Sequence, residues 1–278
     1  MFPWNYGFVW NAGHVIFLGA FYVVLMTIAV TVANALRRSR QDLRGCRTEA
    51  IRWHSDFDEL LSRDRVCRHV LTGEFRRREC PNAFDCRHCE THGKLIGKRV
   101  GQDSLPAGVE EICGMEFPLD RFYHRGHTWT HREPDGTVTV GLDELGKRLL
   151  GSPDAVDLPA PGARVLANGT AFRVKRRNAD VRVLSPVDGE VIAVGGPQAD
   201  WYLKVKPDTN GEPAFRHLLR GREIAPWIMR EMERLQLALA AEGAAATLAD
   251  GGVPVADIAA GCPEVDWSAV CGEMFLEP

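Results

Sequence analysis

The feature that most constrains this fold is an uncharged apolar run near the start of the chain. From Val15 to Leu36 the sequence runs 22 residues without Asp, Glu, Lys or Arg. At 1.5 Å per helical residue this run is about 33 Å long, which matches a hydrocarbon core of roughly 30 Å. It therefore predicts a single membrane-spanning helix over residues 15–36, with the lipid bilayer as its partner.

The charges that flank this run predict its orientation. Residues 1–14 contain no Lys or Arg, whereas Arg37 to Arg52 holds six arginines. Because arginines accumulate on the cytoplasmic side of a span, we expect residues 1–14 outside and everything after Leu36 in the cytoplasm. A cleaved signal peptide would have a basic start and a shorter apolar stretch, and this run has neither. The sequence thus predicts an uncleaved, single-pass anchor in the cytoplasmic (inner) membrane.

The rest of the chain has the length and composition of a folded protein with several parts. The sequence has 278 residues and a formal net charge of -3, which excludes the broad basic surface of a nucleic-acid-binding protein. After the span its character changes three times, and the fold class it predicts is α+β. The predicted parts are a juxtamembrane helix (37–66), a Cys-rich neck (67–116), a β domain (117–207) and a C-terminal helical extension (208–278).

Local patterns support that division. In the β segment, short runs rich in Val and Leu are separated by turn signals such as Pro134-Asp135-Gly136, with one helix inserted at Asp143–Leu150. Between Glu223 and Glu242 apolar residues recur every three or four positions, which predicts an amphipathic helix. A last short helix is predicted from Asp266, a suitable N-cap, to Phe275.

A cluster of cysteines in the neck predicts a metal site. Four cysteines fall within 23 residues, and their spacing ends in a Cys-x2-Cys pair, from which two thiolates can bind one ion. Zinc is the first prediction, because it is the commoner occupant of closed four-thiolate sites. An iron–sulfur cluster remains an alternative with the same ligands, since nearby arginines would stabilise its negative charge, and a metal-free segment is a third. The predicted ligands are Cys67, Cys80, Cys86 and Cys89, with His69, His88, His92 or Cys113 as substitutes.

A series of motifs in the β segment carries a family resemblance. In order and nearly ungapped, they are Phe122-Tyr123, His127-Thr128-Trp129, Gly136–Gly141, the helix Leu142–Gly151, Val156–Pro159 and Ser185–Val191. The region from about Leu119 to Pro207 therefore resembles the glycine cleavage H protein. This resemblance implies a flattened β-hammerhead or sandwich, related to the biotinyl and lipoyl carrier domains.

The resemblance also implies a carrier site, which this sequence lacks. In the family a lysine on an exposed hairpin receives lipoate, and the corresponding position here is Asn178. An Asn side chain has no nucleophilic amine with which to form the lipoyl amide, so lipoate is not expected. Lys175 is the alternative acceptor, but it is predicted to lie on the strand instead of at the turn.

Three functional hypotheses follow. The first is a non-lipoylated accessory or scaffold subunit that docks cytoplasmic partners to a membrane complex, which we expect to be a redox complex. The second is an electron-transfer subunit with an iron–sulfur cluster at the four cysteines. The third is a lipoyl carrier that uses Lys175. The sequence contains no nucleophile elbow, phosphate-binding loop or paired-carboxylate motif, so an enzyme is not predicted.

Overall fold

The computed structural model describes residues 10–44, 47–96, 106–177, 179–209, 211–243 and 254–277. Helix α1 (Ala12–Arg44) contains the predicted span, and within the described residues it is the one helix long and apolar enough to cross a membrane. Its apolar side chains are exposed, as Phe17 and Met26 illustrate. The hydroxyl of Thr27 donates to the carbonyl oxygen of Val23, so this polar group is satisfied within the helix.

The chain divides after Thr48 into two units, and the second, Glu49–Pro278, contains the neck, the sheets and the C-terminal helices. The helices that follow α1 are α2 (Arg47–Glu59), α3 (Arg68–Leu71), α4 (Glu90–Ile96), α5 (Glu144–Leu150), α6 (Glu212–Phe215), α7 (Ile224–Ala241), α8 (Ile258–Gly261) and α9 (Trp267–Met274). Its strands are β1 (Val109–Ile112), β2 (Met115–Pro118), β3 (Phe122–Tyr123), β4 (Thr128–Arg132), β5 (Val138–Leu142), β6 (Ala155–Asp157), β7 (Arg164–Val165), β8 (Thr170–Arg176), β9 (Ala179–Leu184), β10 (Gly189–Val194) and β11 (Leu203–Pro207).

The strands form three antiparallel sheets. One has six strands in the order β3-β4-β5-β11-β10-β7, a second has the order β6-β8-β9, and β1 pairs with β2. The alternating side chains of β5 and β11 place Val140 and Leu203 in the core, while Lys204 lies on the other face. The structure thus agrees with the predicted α+β class and with the β pattern interrupted by one helix.

The C-terminal helices complete the main core instead of standing apart from it. Trp227 of α7 and Phe275, which follows α9, are fully buried in the same apolar cluster as the strands. Two predicted helix starts are confirmed by their caps: Asp143 accepts a hydrogen bond from Gly146 N at the start of α5, and Asp266 accepts one from Ser268 N at the start of α9.

The neck, which is rich in Arg and short of aliphatic residues, contributes to a second apolar cluster. Phe84 packs against Trp53 and Phe57 of α2, with the Phe57 and Phe84 ring centroids 5.0 Å apart. Leu184 of β9 and Leu276 near the chain end complete this cluster. Apolar residues distant in sequence therefore supply the packing that the neck alone lacks.

A buried ion pair also fixes the neck to the C-terminal part. Arg68 donates to both carboxylate oxygens of Glu223, and both side chains are nearly inaccessible to water. The same guanidinium donates to the carbonyl oxygens of Arg216, at 2.5 Å, and Leu218, at 2.9 Å. The buried charge is thus paired and its other donors are satisfied, which is the condition under which burial of a charge is tolerated.

Candidate functional site: the β8–β9 hairpin and the neck thiols

The hairpin that corresponds to the family's carrier site is formed by β8 and β9. Their register pairs Arg176 with Ala179 and Lys175 with Asp180. Arg177 has φ of 50°, the left-handed conformation that a tight connection between two strands requires. Asn178 itself lies outside the described residues. Lys175 is exposed and sits within β8, as predicted, where it also pairs with Ala155 of β6.

The end of this hairpin is bound by the chain's own C-terminal part. Arg176 donates to Asp257 Oδ2 at 2.7 Å and also to the carbonyl oxygen of Leu150. The Arg177 backbone N–H donates to Asp154 Oδ2 at 2.5 Å, and its guanidinium reaches the Ala259 carbonyl oxygen at 3.5 Å. These charge-assisted contacts hold the hairpin end against the segment that begins α8.

Two further features show how closely Arg176 at the hairpin end packs against its neighbours. Gly151, which ends α5 with φ of 54°, approaches Arg176 so closely that a Cβ would lie 1.8 Å from its Nη1 atom. Partial burial alone would raise the pKa of Asp257, but the hydrogen bond from Arg176 lowers it below its ordinary value. The ion pair is therefore formed at neutral pH.

On its other side the hairpin is held by a buried arginine. The Arg182 side chain of β9 is 1% exposed, and it pairs with Asp56 of α2 and with Glu277. Its backbone N–H donates to Glu277 Oε2 at 3.1 Å. The hairpin is consequently integrated on both faces, and neither these arginine contacts nor the role of Asp257 was predicted from the sequence.

The histidine of the His127-Thr128-Trp129 motif has a structural position. His127 is fully buried, stacks on Trp227, and its Nδ1 lies 3.0 Å from Asp143 Oδ2. Burial alone would lower the pKa of His127, but the Asp143 carboxylate raises it above its ordinary value. Since Asp143 also caps α5, this histidine links the start of β4 to the start of α5.

The structure brings three of the four predicted cysteine ligands near one another. Cys67 and Cys80 lie on adjacent antiparallel segments, where Cys67 N donates to Arg78 O and Cys80 N donates to Arg65 O. The thiols of Cys67 and Cys86 both lie within electrostatic range of Cys80. Burial raises the pKa of Cys86 to about 11, and it also raises the pKa of Cys67.

The other predicted ligands have contacts of their own. Cys89 is half-buried, and its backbone N–H contacts Cys86 O at 3.4 Å. Cys113 contacts the sulfur of Met229 at 3.7 Å. Buried His69 and His92 contact each other, Nε2 to Nδ1, at 3.0 Å. No group of three or more His, Cys, Asp or Glu in the described ranges is placed to hold a metal ion, so neither the predicted zinc site nor the iron–sulfur alternative is supported by this geometry.

Arg125 is a functional candidate that the sequence did not single out. Its Nη1 donates to Val66 O at 2.6 Å, its guanidinium lies 4.2 Å from the Phe84 ring centroid, and its Nη2 is buried with no hydrogen-bond partner among the described residues. Burial lowers the pKa of Arg125, and the thiols of Cys86 and Cys80 would act in the opposite sense if they ionised. A cation enclosed beside thiols gives this part of the neck a preference for negative charge.

Comparison with known proteins assigns the β domain. The sequence profile of the glycine cleavage H-protein family matches residues 121–200. The glycine cleavage system H protein of Neisseria gonorrhoeae is 35% identical over 110 residues, which cover 35% of this chain and 83% of that protein. That of Salmonella arizonae is 34% identical over 108 residues, which cover 34% of this chain and 84% of that protein.

A solved structure gives a further match. It is a glycine cleavage system H protein from Mycobacterium marinum, 27% identical, with a TM-score of 0.34 over 39% of this chain and 96% of that chain. The sequence matches show that the chain belongs to the glycine cleavage H-protein family through its β domain. They confirm the resemblance drawn from the motifs.

Proposed function

We propose that this chain is a membrane-anchored, non-lipoylated member of the H-protein family that acts as an accessory or scaffold subunit. In this proposal it docks cytoplasmic partners to a membrane complex, and it is not an enzyme. The observation that carries the proposal is the state of the β8–β9 hairpin, which lacks the family's lysine and is bound at Arg176 and Arg177 by the C-terminal segment.

The chemistry of a carrier explains why this observation matters. A carrier needs an amine at the exposed end of the hairpin, so that the attached arm can swing between partners. Here the corresponding residue is Asn178, and its neighbours are occupied in contacts with Asp257 and Ala259. Because the hairpin end already binds the chain's own C-terminal segment, it is suited to stabilising the fold and not to presenting a mobile lipoyl arm.

Helix α1 supports the membrane part of the proposal. Its length and composition would allow it to span a bilayer, and arginines follow the apolar run. With the positive-inside rule, residues 1–14 would lie outside and the unit Glu49–Pro278 would lie on the cytoplasmic side. Reporter fusions at the two termini test this: the opposite orientation would remove cytoplasmic partners from the proposal.

A lipoylation assay tests the loss of carrier function. The purified full chain is incubated with lipoate, ATP and a lipoyl-protein ligase beside an authentic H protein, and lipoyl groups are detected by mass. We expect the H protein to be modified and this chain to remain unmodified. Modification that disappears in Lys175→Arg would instead establish the carrier alternative that uses Lys175.

The electron-transfer alternative depends on a different part of the molecule. It requires an iron–sulfur cluster at the neck cysteines, and the specific observation in its favour is the enclosed guanidinium of Arg125 beside them. It is compatible with a scaffold, because a subunit can both dock partners and hold a cluster.

A further inference from the structure

Five buried side chains that carry or can carry a charge form a connected row within the second unit. In spatial order they are Asp143, His127, Glu231, Arg234 and Asp64. No side chain in this row is more than 6% exposed. The row joins the β domain to α7 and to the segment after α2, and the proposed scaffold function uses none of its members.

Each member of the row lies within ion-pair distance of the next. His127 Nδ1 lies 3.0 Å from Asp143 Oδ2, and its Nε2 lies 3.8 Å from Glu231 Oε2. Arg234 Nη1 donates to the same Glu231 oxygen at 2.5 Å, and Arg234 Nε lies 2.8 Å from Asp64 Oδ1. His127 therefore stands between two carboxylates, one before α5 and one on α7.

The balance of charge in this row favours a proton on His127. With a neutral imidazole, three carboxylates would share one buried guanidinium, that of Arg234. Arg63 Nε is a further cation, 3.8 Å from Asp64 Oδ2, but the Arg63 side chain is 49% exposed. A carboxylate without a counter-charge is costly in a protein interior, and protonation of His127 supplies that charge.

The orientation of the ring agrees with a charged imidazolium. Nδ1 faces the Asp143 carboxylate, which only accepts hydrogen bonds, so Nδ1 carries a hydrogen. Nε2 is buried and has no hydrogen-bond partner among the described residues, while the Glu231 carboxylate lies nearby. A lone pair on Nε2 would be repelled by that carboxylate, whereas a protonated Nε2 is attracted to it.

The groups around His127 act on it in both directions. Burial and the Arg234 guanidinium favour the neutral ring, whereas Asp143 and Glu231 favour the charged one. The result is a pKa of His127 above its ordinary value. Burial lowers the pKa of the neighbouring His124 to about 4, so that imidazole adds no competing positive charge at neutral pH.

We propose that His127 binds a proton in the folded chain and that its imidazolium is a pH-sensitive latch, which holds α5 and α7 together through Asp143 and Glu231. The ring is fixed in place for this role. It stacks on Trp227 with centroids 5.5 Å apart, and Phe275 meets it edge-on at 5.6 Å. The latch lies away from the β8–β9 hairpin, so it does not depend on whether the domain is a carrier.

The direction of the pH dependence follows from the raised pKa of His127. Such a group stabilises the folded state below its unfolded pKa, about 6.5, and loses that contribution as pH rises through the folded value. Loss of the proton leaves two buried carboxylates facing an uncharged ring. The attachment of α7 should therefore weaken at alkaline pH.

Titration of the ring tests the bound proton directly. The full chain, with its histidines labelled with ¹³C, is purified in detergent micelles, and the His127 signal is assigned by its nuclear Overhauser contact with the Trp227 ring. We expect the charged form at neutral pH and a titration midpoint above about pH 6.5. A midpoint at or below about pH 6.5, or a ring that is neutral over the whole range in which the chain is folded, would overturn the proposal.

Matched glutamate variants test the geometry. Glu231→Gln keeps the size of the side chain but removes the carboxylate that faces Nε2, so the midpoint of His127 should fall. Glu233→Gln is the control, because Glu233 lies on the exposed face of the same helix, and it should leave the midpoint unchanged. The same midpoint in both variants would contradict the role of Glu231.

The latch itself has a local readout in hydrogen exchange. Protection of the α7 backbone amides is compared between about pH 6 and about pH 9, after correction for the intrinsic rise of the exchange rate with pH. We expect it to fall with rising pH while the amides of β5 and β11 stay protected, and to fall at lower pH in Glu231→Gln. Protection of α7 that does not change with pH, or that is lost only together with the sheet, would refute the latch.

Discussion

The buried pair between Arg68 and Glu223 gives the sharpest stability prediction. In Glu223→Gln the side chain keeps its shape and one acceptor oxygen but loses its charge. Arg68 would then remain buried as a cation with the Arg216 and Leu218 carbonyl oxygens as its other partners. The two hydrogen bonds from Arg68 to the Glu223 carboxylate would be replaced by at most one, to an uncharged amide oxygen.

The size of the effect follows from burial. The two side chains are 5% and 9% exposed, so solvent screens the pair little. Removing one partner of a buried pair costs about 3–5 kcal/mol, and retention of the amide oxygen places Glu223→Gln near about 3 kcal/mol. For a folded unit of this size that corresponds to a fall in melting temperature of roughly 6–12 °C.

The assay is thermal unfolding of the full chain in detergent, followed by tryptophan fluorescence. Asp208→Asn is the matched control, because it also changes one carboxylate to an amide but in an exposed pair with Arg164. That variant is expected to lose less than about 1 kcal/mol. If Glu223→Gln also melted within about 2 °C of the unmodified chain, the buried pair would not stabilise the neck as argued.

Acidification provides an independent check of the same pair. Burial alone would raise the pKa of Glu223, but Arg68 lowers it below its ordinary value. A carboxylate with a lowered folded-state pKa stabilises the fold above its unfolded pKa and loses that contribution as pH falls through the folded value. The difference in stability between the unmodified chain and Glu223→Gln should therefore be full at pH 7 and shrink below about pH 4.

Three further predictions concern the β domain. Gly141→Ala should destabilise by about 1–3 kcal/mol in thermal unfolding, because its Cβ would lie 2.4 Å from Trp129 Cζ2, and an equally stable variant would contradict this packing. Arg176→Gln should release Asp257, costing about 1–2 kcal/mol and speeding limited proteolysis within residues 254–277; unchanged proteolysis would argue against that contact. Lys175→Arg should leave melting unchanged, since Lys175 is exposed, and a large loss would show an unrecognised contact.

The sequence predicted those features that depend on local pattern. The apolar run over 15–36 lies inside α1, and the periodic segment 223–242 forms α7 at Ile224–Ala241. The inserted helix predicted at Asp143–Leu150 is α5 (Glu144–Leu150), with Asp143 as its cap. Each of these features is encoded by the spacing of neighbouring residues, which is the information that a single sequence carries.

Features that depend on distant residues were not predictable. Arg68 and Glu223 are 155 positions apart, and Arg176 and Asp257 are 81 apart, so no local pattern links them. The position of Asn178 was found by counting along family motifs, but the C-terminal contacts of that hairpin needed the folded chain. For the cysteines, spacing predicted a metal site that the geometry of the described residues does not support, whereas the enclosed Arg125 became visible only in three dimensions.

The intact mass of the full chain, extracted from the membranes of its own host, shows whether the chain carries a lipoyl group in the cell. Growth with ample lipoate and an active glycine cleavage system makes the test stringent, and the host's authentic H protein serves as the internal positive control. We expect a membrane-bound polypeptide without a lipoyl group, while the H protein from the same cells carries one. A lipoyl increment on this chain, mapped by fragmentation to Lys175 or any other lysine, would show that it is a carrier.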